Sequence, residues 1–186
     1  MKKLHMLLAA LLTITTIIGA AVPVQAASSD VNIEIKATTM DEVSVTVPTS
    51  LPIIFNEDGS NTLPTNWTID NRSTIAGIHL SQIDMDSEGN GWKLLDDTKN
   101  TKTMPVNTKS IQFSMGKEGA LKLVTPTNGD EKVAESGTGV LKLEANEINL
   151  PSGTAENLFF HVERGAFTDA QASAKAFKMV LTFNFN

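Results

Sequence analysis

A nucleophilic hydrolase of the Ser-His-Asp kind needs a histidine beside an activated hydroxyl, and a sharp turn to present that hydroxyl. The chain has three histidines, His5, His79 and His161, no cysteine, and no Gly-x-Ser-x-Gly segment to supply such a turn. His5 falls in an N-terminal leader. The other two lie in strand-like runs with apolar neighbours, Ile78-His79-Leu80 and Phe160-His161-Val162. Without a His-Glu-x-x-His helix or a cysteine partner they give no zinc signature, so partly exposed strand side chains are the plainer reading. Glycoside hydrolysis asks only for two carboxyl groups about 5 to 10 Å apart across a cleft. The 21 Asp and Glu residues are scattered, as solvated sheet faces would have them. The expectation is a non-enzymatic protein with no catalytic residues, acting by binding or assembly.

Two constellations point to binding. Asp84-x-Asp86-x-Glu88-Gly89-Asn90 places oxygen ligands at alternate positions ahead of a glycine turn, as the first half of an EF-hand-type loop does. Calcium is the cofactor such a loop would hold. The twelfth position, however, is Leu95 where a bidentate Glu is required, and an acidic hairpin turn stands as the alternative. Trp67 and Trp92 would form a platform for sugar stacking if their indole faces were exposed, and would be core residues otherwise. The absence of Tyr weighs against a recognition surface.

The elements that must position these residues follow an export leader. Met1-Lys2-Lys3, an apolar run of about 16 residues from Met6 to Ala21, and Val24-Gln25-Ala26 have the order of a cleavable signal peptide, and the run is short of the roughly 20 residues of a spanning helix. Residues 1–26 are therefore expected to be removed, leaving residues 27–186 as one domain with no membrane span. Losing Lys2 and Lys3 takes the formal charge from -6 to -8, without the clustered Lys and Arg of a nucleic-acid footprint. An exported chain without cysteine must rest on apolar burial alone, a habit of bacterial, Gram-positive exteriors. Leu150-Pro151-Ser152-Gly153-Thr154 differs from a wall-sorting LPxTG motif in the order of Gly and Thr, and lies far from the C-terminus.

Period-two alternation recurs in Val31/Ile33/Ile35, Val43/Val45/Val47, Ile78/Leu80, Ile111/Phe113/Met115, Leu121/Leu123, Val140/Leu141/Leu143, Leu158 to Val162 and Phe177 to Phe185, bounded by turns such as Ser87-Glu88-Gly89-Asn90-Gly91 and Asn128-Gly129-Asp130. Eight or more such strands predict an all-β fold, a single antiparallel β-sandwich of Ig-like or jelly-roll kind. Only Phe167 to Lys175, with Thr168 as N-cap, is expected to be helical. The first strand, carrying Val31, Ile33 and Ile35 behind a short polar lead, is either the first strand of its own sandwich or an assembly element that pairs with the open edge of another subunit.

Val43-Ser44-Val45-Thr46-Val47-Pro48, Trp67-Thr68-Ile69-Asp70-Asn71-Arg72-Ser73, Ile78-His79-Leu80, Gly91-Trp92-Lys93-Leu94 and the closing Phe177-x-x-x-Leu181-Thr182-Phe183 together resemble small secreted β-sandwich proteins of Gram-positive surfaces, a group that includes WxL-type surface domains and TasA-like biofilm matrix proteins. Trp92-Lys93-Leu94 fits one Trp-x-Leu copy, with no second at Trp67. The resemblance implies a cell-surface or biofilm matrix structural or adhesion protein. Its partners would be itself, other surface proteins, or cell-wall or host polysaccharide.

Overall fold

The computed structural model describes residues 27–37, 43–56, 58–168 and 174–186. Residues 1–26, the expected leader, lie outside them, as does most of the expected helix, whose last residues, Ala174 and Lys175, open a strand. The described residues are all-β apart from one 3-10 turn, Thr101–Thr103, capped by the Asn100 side chain. No described helix is long and apolar enough to cross a membrane.

The strands form two sheets. The first runs β11 (Glu131–Lys132), β10 (Thr125–Asn128), β13 (Thr138–Lys142), β6 (Ile78–Asp86), β16 (Ala174–Phe185), β1 (Ala27–Ala37), β3 (Ser50–Phe55), β4 (Asn61–Thr62), with β14 (Asn149–Leu150) also on β6. The second runs β12 (Glu135–Ser136), β7 (Lys93–Leu95), β8 (Ser110–Lys117), β15 (Ala155–Arg164), β5 (Trp67–Asn71), β2 (Val45–Thr46), with β9 (Ala120–Leu123) also on β8. Both are mixed rather than purely antiparallel: β1 runs parallel to β16, and β7 parallel to β8.

Alternation along each strand turns one face inward. Leu51, Ile53 and Phe55 of β3, Ile83 and Met85 of β6, and Phe177, Met179, Leu181 and Phe183 of β16 meet Phe113 and Met115 of β8 and Leu158, Phe160 and Val162 of β15 in one apolar cluster. Each such side chain contributes about 1.5 to 3 kcal/mol by leaving water. At Gly139 of β13 the sheets come so close that a Cβ would sit 2.5 Å from Leu94 Cδ1 of the second sheet, and it would also lie 2.9 Å from the Thr125 carbonyl oxygen of the adjacent strand β10.

The phase of β6 changes midway. Ile78 and Leu80 point inward, Ser81 and Gln82 are half-exposed, and Ile83 and Met85 point inward again. The pairing with β16 shows why: Leu80 faces Phe183 and Gln82 faces Thr182, so Ser81 is the extra residue of a β-bulge. Its hydroxyl donates to the Thr182 carbonyl at 3.0 Å and its carbonyl accepts from Leu143 N at 2.9 Å. An unbroken alternation from Ile78 would have turned Asp84 and Asp86 into the core.

Candidate functional site

The N-terminal strand β1 has an unusual place. It lies inside the first sheet, parallel to β16 from Ser29↔Ala174 to Ala37↔Phe183 and antiparallel to β3 from Ala27↔Phe55 to Asn32↔Ser50. Neither neighbour is joined to it by a hairpin, because β2, the next strand along the chain, belongs to the other sheet. Withdrawing β1 would therefore break no turn. It would leave a slot between β3 and β16 two strand spacings wide, roughly 9.6 Å, floored by the inward side chains of both walls.

Each wall has anchors of its own. β16 is held by β6 along the ladder from Lys178↔Asp86 to Phe185↔Ile78, and the Asn186 amide closes that end by donating to Asn149 Oδ1 at 2.7 Å. β3 is tied across the core by Trp67, whose Nε1 donates to the Ser50 carbonyl at 3.1 Å.

A second tie comes from Arg164 of β15. Its guanidinium lies 4.8 Å from the Phe55 ring centroid and 5.5 Å from that of Phe167, and it donates to Asn61 Oδ1 at 3.1 Å, the Asn56 carbonyl at 2.9 Å and the Gly165 carbonyl at 3.0 Å. Asn61 Nδ2 returns a bond to the Val162 carbonyl at 2.7 Å. Burial pushes the Arg164 pKa down, opposed by the charge of Asp58. Asp58 is in turn held below the usual carboxylate range by the hydroxyl and amide of Ser60.

The tryptophans are not a platform. Trp67 is 2% exposed and packs edge-on against Phe160 at 5.4 Å. Trp92 is 5% exposed among Phe55, Phe167 and Phe177. Both indoles lie on the inner parity of the fold, so no flat apolar face is offered to a sugar.

The carboxylates Asp84, Asp86 and Glu88 are not brought together as a metal site either: no group of three or more His, Cys, Asp or Glu with that geometry occurs among the described residues. Asp84 accepts from Gln82 Nε2 at 2.8 and 3.0 Å, and Asp86 Oδ1 accepts the amide of Glu88 at 2.7 Å, so the acidic run closes a turn. Val31, Ile33 and Ile35 fall on β1, inside the chain's own sheet.

His79 Nδ1 lies 2.9 Å from Asn186 Oδ1 and His161 Nε2 lies 3.2 Å from Glu163 Oε1, on different sheets. A recess of about 350 Å³ is lined by Asp96, Asp97, Thr125 and Lys132 beside Leu123 and Val133.

No protein-family model, curated protein or solved structure matches the chain. The site rests on its geometry.

Two residues that organise this geometry escaped the sequence reading. Arg164 is the fourth member of the inward series Leu158, Phe160, Val162, Arg164, and a cation on an apolar parity was the available signal. Asn71, fully buried, accepts from Ser73 N at 3.1 Å and donates to the Ala76 and Leu150 carbonyls at 3.0 Å. It thereby docks the Leu150-Pro151-Ser152-Gly153 turn, whose Ser152 hydroxyl donates to the Ser73 carbonyl at 2.6 Å.

Proposed function

We propose that the chain is a non-enzymatic structural or adhesive protein of a bacterial, Gram-positive surface or extracellular matrix, a single β-sandwich freed by removal of residues 1–26, which assembles through its N-terminal strand. The observation that carries the reading is the placement of β1 between β3 and β16 with no hairpin to either. A strand so placed can be supplied by a neighbouring copy with the same main-chain hydrogen bonds, because the slot does not distinguish its own β1 from another. Head-to-tail supply makes a fibre and reciprocal supply a closed dimer. The leader-like residues 1–26, the absence of cysteine and the resemblance to secreted Gram-positive surface proteins support the location.

The test compares protein beginning at Ala27 with a truncation beginning at Asp41, by size-exclusion chromatography with light scattering and by negative-stain microscopy. Oligomers or fibres from the first and a folded monomer from the second are expected. A synthetic strand of residues 27–40 added to the truncation should dock and cap it, and should restore its fold if the truncation is unstable. Monomers from both chains, or no effect of the added strand, would refute assembly through β1.

A further inference from the structure

We propose that Asn128-Gly129 is a site of spontaneous deamidation, which the fold permits there and suppresses at the chain's other Asn-Gly pair, Asn90-Gly91. The chemistry is intramolecular. The Gly129 amide nitrogen attacks Asn128 Cγ, a C–N bond forms, and the side-chain amide leaves as ammonia, giving a five-membered succinimide. Water then opens either ring carbonyl to give aspartate or isoaspartate, so that one water enters, one ammonia departs and one negative charge appears. Glycine favours the attack because no Cβ shields its nitrogen or restricts its backbone.

The two Asn-Gly pairs differ in what holds them. Asn128 pairs with Glu131 across a two-residue turn in which Gly129 has φ 62, and the residue is exposed. Among the described residues no side-chain hydrogen bond engages its amide. The strand that closes the turn, β11, is two exposed residues long at the outer edge of the first sheet, so local opening is cheap and lets the Gly129 nitrogen reach Cγ.

Asn90 also sits at a turn, but its side chain is fixed at both ends: Nδ2 donates to the carbonyls of Lys175 and Ala176, and Oδ1 accepts from Trp92 N at 3.0 Å. Attack there must first break these bonds and detach the turn from β16. At Asn128 the product sets a new carboxylate beside Asp130 and Glu131. In the isoaspartyl form it also adds a methylene to the main chain, throwing the Thr127↔Lys132 pair out of register and uncovering the edge of β10.

The experiment incubates the folded protein, beginning at Ala27, at mildly alkaline pH, with a parallel sample in urea. Proteolytic mapping by mass spectrometry then follows the amide-to-acid change in the peptides bearing Asn128 and Asn90. In the folded sample Asn128 should convert and Asn90 should lag it by at least about tenfold, since its hydrogen bonds must open first. In urea the two rates should converge, and N128Q should abolish the change at that turn while leaving Asn90 as it was. An intact Asn128 in the folded sample, equal folded rates at the two positions, or an Asn90 that still lags in urea would each overturn the proposal.

Discussion

Two single-residue deletions in β6, three positions apart, are expected to have opposite outcomes. Ser81 is the surplus residue of the bulge opposite Thr182, so removing it leaves Leu80-Gln82-Ile83-Asp84-Met85 as an unbroken alternation that keeps Leu80, Ile83 and Met85 inward. What is lost is the Ser81 hydroxyl bond to the Thr182 carbonyl and the Leu143 amide bond to the Ser81 carbonyl. At about 1 kcal/mol each, the deletion costs about 2 kcal/mol, and S81A, which loses only the first, costs about 1 kcal/mol.

Removing Asp84 is different, although its half-buried carboxylate lies on the outer face of β6 and accepts from Gln82 there. Met85 then turns outward, losing about 1.5 to 3 kcal/mol, and Asp86 turns inward at several kcal/mol more. Collapsing the bulge instead buries Gln82 and exposes Ile83. Either register takes most of the 5 to 15 kcal/mol typical of a domain, roughly, so this variant should not fold.

Urea titration followed by circular dichroism reads all three variants. With a slope of about 2 kcal/mol per molar, the Ser81 deletion should lower the midpoint by about 1 M and S81A by about 0.5 M. An unfolded Ser81 deletion, or a deletion of Asp84 as stable as the parent, would refute the bulge as the device that sets the phase of β6.

Two further outcomes follow from the same packing. R164A removes three hydrogen bonds and the ring contacts with Phe55 and Phe167, at about 2 to 4 kcal/mol, and should lower the melting temperature by about 5 to 15 °C. R164K keeps the charge but not the fork and should fall between, while unchanged melting of R164A would remove the tie from β15 to the β3–β4 hairpin. Glu147 is held below its ordinary pKa of 4.5, first by the Lys122 ammonium and then by the Glu144 amide. A depressed carboxylate stabilises above its unfolded pKa and loses that contribution as pH falls through the folded one. E147Q should thus cost a few tenths of a kcal/mol at pH 7 and nothing at pH 2, and an equal cost at both would exclude the ion pair as its source.

What was legible in the sequence was period and punctuation. Ile111/Phe113/Met115 and Phe177 to Phe183 are core strands as their alternation predicts. The same signal at Leu121/Leu123 marks the opposite face. In β9 these residues share the parity of Gly116 and Ser114, and Leu121 is 37% exposed, because alternation says that a strand has two faces without saying which is covered. Strand β3 was masked by Pro52, tolerated because β4 pairs only with Ile54 and Phe55 and leaves the rest of that side an edge. The tryptophans could not be placed by type, since an indole serves a core or a platform equally well. The parallel pairing of β1 with β16 joins the two ends of the described chain, and nothing in local pattern encodes a contact of such separation.

That pairing bears on how the slot would behave if β1 left it. A strand withdrawn from the middle of a sheet usually takes its neighbours with it, since they depend on it for register. Here β16 keeps its ladder with β6, and β3 keeps Trp67 at Ser50 and Arg164 at the carbonyl of Asn56. The aromatic contacts of Phe55 with Trp92 and Phe167 fix the end of the slot where β1 begins, at Ala27↔Phe55. Although β1 is a principal ladder partner of both walls, each wall thus keeps fastenings that do not run through it. On this arrangement Arg164 matters most when the slot is empty, so R164A should cost the truncation beginning at Asp41 more than it costs the chain beginning at Ala27. Equal losses in the two backgrounds would mean that the walls do not rely on the tie when β1 is gone, and would remove the structural reason for expecting the slot to outlast its strand.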